Sequence, residues 1–504
     1  MLFSSARFRP WLTLLTVVLV YIPVAIDATV LHVATPTLST TLGASSNTLL
    51  WIIDIYSLIM AGMVLPMGAL GDKIGFKRLL LTGSALFGIA SLAAALAPNA
   101  GWLIAARGLL AVGAAMIVPA TLAAIRTTFA DARQRNIALG IWAAVGSGGA
   151  AFGPLIGGFL LAHFYWGAVF LVNVPLILAV MALTAIVVPT QQGRPQQRIN
   201  LHHALTLVVA ILLLIYSLKT LMKGTLAPWV ALLIMLAGAL LLQHFIRTQR
   251  QQAQPMIDIR LFSQRVIFCG VMMAMVAMIT LVGFELMMAQ ELQFVHGLTP
   301  LAAGAFMLPV MLSSGISGPV AGVLVSRWGL RQVAAGGMLL SGLSFLGLSF
   351  TDFATQQRQA WILMAILGFS VASALLASTA AIMAAAPKEK ASAAGAIETM
   401  AYELGAGLGI ALFGLLLSRS FTGAITLPGS LSAAQAHQAS SSIGEAMQLA
   451  SQLSPSLGQQ VAQAARSAFT LSHSLALGTA SVLLMLLAVG IWFALAGTDA
   501  RRHA

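Results

Sequence analysis

The sequence predicts an all-α polytopic membrane protein, and three observations predict it. Of its 504 residues 59% are hydrophobic and 8% charged, where a soluble domain carries about 25% charge. Mean hydropathy is +0.94, carried by apolar runs that repeat along the whole chain. Each is long enough to cross a hydrocarbon layer of about 30 Å at about 1.5 Å per residue. Period-2 alternation is absent, and backbone facing lipid must satisfy its own hydrogen bonds, so helices are the expected material.

Hydropathy places fourteen spans. The first, 11–32, follows Arg7 and Arg9 and is too long for the apolar core of a cleaved leader, so it reads as a retained helix. Short loops join the next five, 48–70, 79–97, 102–125, 137–161 and 165–188. Two more, 203–221 and 228–246, precede a second set of six: 266–289, 301–325, 332–350, 361–386, 394–418 and 474–497. An even number puts both termini on one side. Lys219, Lys223, Arg358, Arg419 and Arg466 fall on the opposite loops and Arg107 inside a span; the rest of the 26 Lys and Arg residues share the side of the termini. The positive-inside rule makes that side cytoplasmic, in a bacterial inner membrane. The net charge of +13 is thus a topology signal. Its residues are scattered singly, without the clustered, aromatic-interleaved patch of a nucleic-acid binder.

Before the last span lies an outer stretch, 419–473, rich in Ala, Ser and Gln, with helical periodicity interrupted at Pro455. A small helical hairpin and an unstructured loop both fit it. The chain also repeats itself weakly. "GALGDKIGFK" from Gly68 and "GVLVSRWGLR" from Gly322 align Gly68 with Gly322, Gly75 with Gly329 and Lys77 with Arg331, each 254 residues apart. Both copies lie at the cytoplasmic end of the second span of a six-span set. The economical organisation is two homologous bundles, 1–190 and 266–504, around an inserted pair in 191–265, a pattern typical of secondary transporters.

The sharpest chemical signal is acid inside the spans. Asp27, Asp54, Glu285, Glu398 and Glu403 would each cost about 2.5 kcal/mol or more if charged and facing lipid at the bilayer centre. They must face a cavity or stay protonated, and either suits a proton carrier. Asp54 and Glu285 lie near the outer ends of their spans, where reaching headgroups or water explains them equally well. Glu403 falls about 15 Å into its helix, near the midplane; Asp27 falls about 24 Å from the cytoplasmic end, in the outer part of the membrane. Arg107 is either a snorkelling cation or the partner of an acid on the first span. His32 reads as a polar helix end, because no second His or Cys has metal spacing. The lone Cys269 excludes a disulfide framework and reads as packing. Trp142, Phe284, Met287, Met288 and Tyr402 are candidates to line a cavity where soft and aromatic faces attract organic cations. No metal or cofactor is expected.

Four motifs resemble those of the major facilitator superfamily, fourteen-helix drug:proton antiporter branch. "GALGDKIGFKR" is similar to its loop signature. "IDATVLHVATP" resembles its first-helix motif through Asp27, Thr29, Val30, Ala34 and Pro36, with His32 where Asn is usual. "LIAARGLLAVGAA" resembles the fourth-helix motif through Arg107 and Gly113, with Leu110 and Ala111 replacing Gln and Gly. "GSGGAAFGPLIGG" matches the antiporter motif of the fifth helix almost completely. In the loop signature, Gly68 and Gly75 permit a tight turn. Asp72 can meet a helix N-terminus or pair with Arg133, which makes a conformational latch. Lys77 and Arg78 are explained equally by positive-inside charge. Ser326 replaces the acid in the second copy, so only the first half carries the full latch. Gly149, Gly153, Pro154, Gly157 and Gly158 make the fifth helix smooth and kinked for close packing, and the resemblance adds a role in sealing against leakage.

The resemblance implies a major facilitator fold and a proton-driven antiporter expelling lipophilic organic cations: quaternary ammonium compounds, cationic dyes, biscationic antiseptics. Protons and drug would compete for the acid set with Arg107 as a coupled element, and a monomer in the bilayer is the expected unit. An exporter of amphiphilic anions would need a basic cavity, for which only Arg107 offers itself. A membrane-embedded enzyme would need a nucleophile, a His pair or a metal constellation near one interface, and none is evident.

Overall fold

The computed structural model describes residues 9–190, 193, 201–223, 226–252, 255, 259–385 and 391–496, and among them there is no strand. The helices are α1 (Arg9–Leu42), α2 (Ser46–Ile74), α3 (Phe76–Ala95), α4 (Ala100–Thr128), α5 (Ala132–His163), α6 (Ala168–Leu171), α7 (Asn173–Val187), α8 (Leu201–Lys223) and α9 (Pro228–Gln251). Then come α10 (Arg265–Gln290), α11 (Pro300–Phe306), α12 (Leu308–Trp328), α13 (Leu330–Ser349), α14 (Gln357–Ala385), α15 (Ala391–Ala424), α16 (Ala433–Ser441), α17 (Ile443–Ala450) and α18 (Pro455–Ala494). A π-helical turn, Glu291–Val295, continues α10.

Among the described residues twelve helices are long and apolar enough to cross a bilayer, or thirteen when α11 and α12, bent by 41°, count as one span. The chain is a multi-pass membrane protein. The remaining expected span, 137–161, falls in the 32-residue α5, several of whose side chains lie outside the described residues.

Several helices overrun their hydropathic spans. α1 continues ten residues past the expected end at 32, because Thr35 and Ser39 are buried against protein and the helix need not stop where hydropathy falls. Pro455 starts the 40-residue α18, at a first-turn position where its missing N–H costs no hydrogen bond. The outer stretch is the helical hairpin: α16 opens on a capping box between Ser432 and Gln435, and Ser442 caps α17.

Packing divides the chain around separate cores. One unites α1 to α7, with Val17, Ile52, Phe87, Leu103 and Phe170 among its members, and takes in Val208 of α8, Leu286 of α10 and Ile410 of α15. A second unites α10 to α14 with α15, α17 and α18 around Met273, Phe345, Met364 and Leu477. The third lies along the seam, where Leu207 and Ile211 of α8 and Phe245 of α9 meet Leu58 of α2 and Ala401 of α15.

The internal repeat is visible in the backbone. Gly75 (φ 91°) and Gly329 (φ 87°) turn the chain after the second helix of each six, and Gly43 (φ 57°) and Gly297 (φ 66°) turn it after the first. Each pair is 254 residues apart, and positive φ is the reason for glycine there. The aligned bases also do equivalent work. Lys77 Nζ donates to the Ala185 carbonyl in the last turn of α7 at 2.8 Å. Arg331 Nε donates to the Trp492 carbonyl in the last turn of α18 at 2.7 Å, with its guanidinium 4.0 Å from the Trp492 ring centroid. A cation beside exposed helix C-terminal carbonyls is favourable, so both bases are structural ties between the third and last helices of a six-helix set.

Candidate functional site

The fifth-helix glycines let neighbours approach on two faces. A Cβ added at Gly149 would lie 2.8 Å from Ala25 Cβ, at Gly157 2.7 Å from Val30 Cγ2, and at Gly153 against Thr29 Oγ1, all on α1. Gly158 instead faces the other half, 2.5 Å from the Pro300 carbonyl, and Gly304 of α11 returns the contact at 2.7 Å from the Pro154 carbonyl. The halves therefore meet backbone to backbone at the face opposite the termini. Toward the termini, a Cβ at Gly315, Gly318 or Gly322 of α12 would meet nothing within 4 Å. At the closed face a cavity of about 40 Å³ remains between Thr35, Ser39, Ile53, Leu286, Phe421 and Gly444. A drug-sized ligand needs roughly 300 Å³ or more, so this end is shut.

Asp27 and Arg107 find each other. Arg107 on α4 donates through Nη1 to Asp27 Oδ2 and through Nε to the Ile52 carbonyl at 3.1 Å, with Tyr56 4.6 Å below its guanidinium. Both side chains are fully buried, which answers the choice left open for Arg107: it pairs and does not snorkel. Asp27 is also not near a helix end, since α1 runs from Arg9 to Leu42 and places it about midway.

Asp54 does not reach headgroups or water. It is fully buried, and Lys219 Nζ on α8 donates to its Oδ2 at 2.6 Å while resting 4.1 Å from the Trp51 ring centroid. Lys219 was expected in an outer loop. The loop reading failed because a single Lys near the end of an apolar run looks like a loop residue until its partner is known.

Glu285 is likewise buried, with Oε2 3.1 Å from His32 Nδ1. His32 is no helix end, but a buried side chain ten residues inside α1. Sequence reasoning missed it by ending the first helix at that residue.

On α15 the two acids part. Glu398 accepts from Tyr402 Oη at 2.6 Å and from Thr379 Oγ1 of α14, inside its own half. Glu403 turns to the seam, where Ser57 of α2, Tyr21 and Tyr56 lie within its electrostatic range. Glycines bring the seam together. A Cβ at Gly407 would lie 2.5 Å from Leu58 Cδ2 of α2, and at Gly409 2.6 Å from the Ile279 carbonyl of α10. Near this acid Tyr21 stacks on Trp142, centroids 4.5 Å apart, and Trp142 Nε1 donates to Thr121 Oγ1 at 3.0 Å. Trp142 and Tyr402 keep partial exposure. Phe284, Met287 and Met288, expected in that wall, have no exposed surface and are core residues of the second half, Phe284 packing edge-on against Phe345.

The loop signature sits at the terminal face. Gly68 approaches Pro119, and Asp72 and Arg78 are exposed. The side chain of Arg133 lies outside the described residues, and with it the expected Asp72 pairing. Sequence reasoning also missed Glu291, placed beyond the end of its span and buried in the π-turn. Among the described residues no set of His, Cys, Asp and Glu is arranged to hold a metal ion.

Residues 17–252 and 266–495 match the family model described as Major Facilitator Superfamily. The chain is 70% identical to the methyl viologen resistance protein SmvA of Salmonella typhimurium, over 98% of this chain and 100% of the relative. It is 35% identical to the multidrug efflux pump LfrA of Mycolicibacterium smegmatis, over 92% of this chain and 91% of that one. Among solved structures, a bacterial homolog of the human lysosomal transporter Spinster, inward-facing and occupied, aligns over 95% of this chain and 96% of its own with a TM-score of 0.68 at 16% identity.

Proposed function

The chain belongs to the Major Facilitator Superfamily, and on that premise we propose that it is a proton-coupled efflux antiporter expelling lipophilic organic cations, methyl viologen and quaternary ammonium compounds among them. The observation that carries the reading is Glu403: a carboxylate at the seam between the halves whose interacting neighbours, Ser57, Tyr21 and Tyr56, are neutral hydroxyl side chains. An acid with a neutral partner has no fixed counter-charge. It is stabilised either by a proton or by a cation from outside, and that competition couples the two flows. Tyr21, Trp142 and Tyr402 supply ring faces for the cation.

The other acids divide by partner. Glu398 and Glu285, held by hydroxyls and an imidazole, belong with Glu403 on the exchanging side. Asp27 and Asp54 already have resident cations in Arg107 and Lys219, so they act as electrostatic anchors. This also weighs against an anion exporter, since neither buried base is left to greet an anion. The contact of Gly158 with α11 is the leak seal at the outer face, Asp72 belongs to the cytoplasmic latch, and the protein works as a monomer with both termini in the cytoplasm. α5 supplies the fourteenth span, and two bundles, 1–190 and 266–504, flank the inserted pair in 191–265.

The test is efflux from everted membrane vesicles with mono- and divalent organic cations, anions and neutral compounds, with and without an imposed proton gradient. Cation movement that requires the gradient is expected. Gradient-independent movement, or preference for anions, overturns the reading.

A further inference from the structure

One buried carboxylate has no part in the exchange just described. Glu291 opens the π-turn after α10, and such turns recur at functional sites. Oε1 accepts from Thr470 Oγ1 of α18 at 3.0 Å and lies 3.5 Å from His296 Nε2; Oε2 lies 3.3 Å from His473 Nδ1, also on α18. Phe353, between α13 and α14, stacks on the His473 ring with centroids 5.7 Å apart and meets His296 edge-on. Asp352 faces His296, and the Thr355 hydroxyl and Ala354 N–H hold its carboxyl below the usual range, so it stays an anion. Toward this end of the packed elements the other charged or titratable groups are Arg466 of α18, Glu445 of α17, Arg358 of α14, and Glu285 with His32 on α10 and α1; Arg9 and Asp27 of α1, Arg265 of α10 and Arg331 of α13 lie farther along their helices.

The same turn bridges the halves at the closed face. Gln293 Nε2 donates to the Val33 carbonyl of α1 at 3.0 Å, and Arg466 Nε donates to the Phe294 carbonyl at 3.2 Å. Gly444 of α17 rests against Ser39 of α1 and Phe294. We propose that Glu291, His473 and His296 form a second proton-binding site, reached from the outer face, whose occupancy holds the π-turn on α1 and keeps that face shut. This rests on the orientation and coupling proposed above.

The sign follows from charge. With both imidazoles neutral, the cluster buries one net negative charge. A proton on His473 turns it into a neutral, hydrogen-bonded pair, and closure favours that state. When the proton leaves, the carboxylate gains by hydration, which requires the turn to draw away from α18 and release Gln293 from Val33. By linkage, a proton arriving from outside closes the outer face, and closure strengthens proton binding. The empty carrier is thereby returned toward the inside only after loading a proton.

Spin labels at Leu96→Cys and Phe350→Cys, exposed positions at the ends of α3 and α13, report the outer opening in a Cys269→Ser background. The purified full chain in lipid nanodiscs, without substrate, is measured by double electron–electron resonance between about pH 5.5 and about pH 8.5, the range an imidazole spans. The long-distance population is expected to rise about threefold or more with pH. Glu291→Gln should hold the short distance at every pH, and His473→Gln combined with His296→Gln should hold the long one. Glu403→Gln, which removes coupled transport, should keep the full response, so failure of the coupling reading and failure of this one are told apart. No response in the unsubstituted protein, a response surviving Glu291→Gln, or one lost equally in Glu403→Gln overturns the proposal.

Discussion

The two halves solve the same problem, an acid inside a membrane, with different partners. In the first half Asp27 and Asp54 are held by Arg107 and Lys219, side chains that carry charge of their own. In the second, Glu285, Glu291 and Glu398 are held by imidazoles and hydroxyls, and Glu403 reaches across the seam to the hydroxyl of Ser57. An acid paired with a resident base has a compensating charge in contact when it ionises. An acid paired with a neutral donor carries its charge alone when ionised, and on the proposed coupling Glu403 is the one that trades it. On the proposed coupling, the difference assigns anchoring to the first half and exchange to the second.

The comparison breaks most visibly at its strongest pair. Arg107→Met leaves Asp27 as an uncompensated buried charge and should cost about 3–5 kcal/mol, read as a large drop in the thermal unfolding midpoint of the purified protein. Adding Asp27→Asn should recover most of the loss. No recovery in the double variant would mean that Arg107 acts through Tyr56 and Ile52 and not as the counter-charge.

Glu403→Gln should lower proton-driven efflux about 100-fold at normal membrane levels, since an amide neither takes a proton nor attracts a cation. Folding should survive, because the amide has nearly the shape of the carboxyl and brings no charge into the seam. Unchanged efflux would remove the second half's claim to the exchange.

Lys219→Met should destabilise the protein by less than the Arg107 change, because the Lys219–Asp54 contact involves one ammonium and one carboxylate oxygen. The double variant with Asp54→Asn should unfold near the parent's midpoint and keep the pH dependence of efflux. A shifted pH profile there would make Asp54 an exchanging acid and blur the division.

A still smaller effect is expected for Asp27→Asn alone. It keeps an oxygen for Arg107, so turnover should fall about tenfold or less while its pH dependence stays put. Asp72→Asn, far from the buried acids at the terminal face, should slow efflux about two- to threefold and leave equilibrium binding of a cationic dye unchanged. Lost binding would move the loop signature into the site.

Much of the fold was legible because hydropathy and loop charge are local. The runs around Asp27 or Glu285 need no partner to be recognised, and the Gly75 and Gly329 turns announce themselves through a repeated spacing. Of the site, the identity of the intramembrane acids was legible for the same reason: a carboxylate in an apolar run is conspicuous wherever it points. What it pairs with was not. His32 and Glu285 are 253 residues apart, Asp54 and Lys219 165, Asp27 and Arg107 80, and no periodicity connects such positions.

Composition and spacing by themselves determined that the chain crosses a membrane many times, that it repeats, and which side chains are too costly to be incidental. Only the tertiary structure decided that Lys219 belongs to the interior, that Phe284, Met287 and Met288 are core, that Gly158 faces the opposite half while Gly153 faces its own, and that Glu291 sits in a histidine cluster. The physical reason is that cost is set by a residue's own chemistry, which the sequence carries. Its compensation is set by whichever distant group the packed helices bring within about 3 Å.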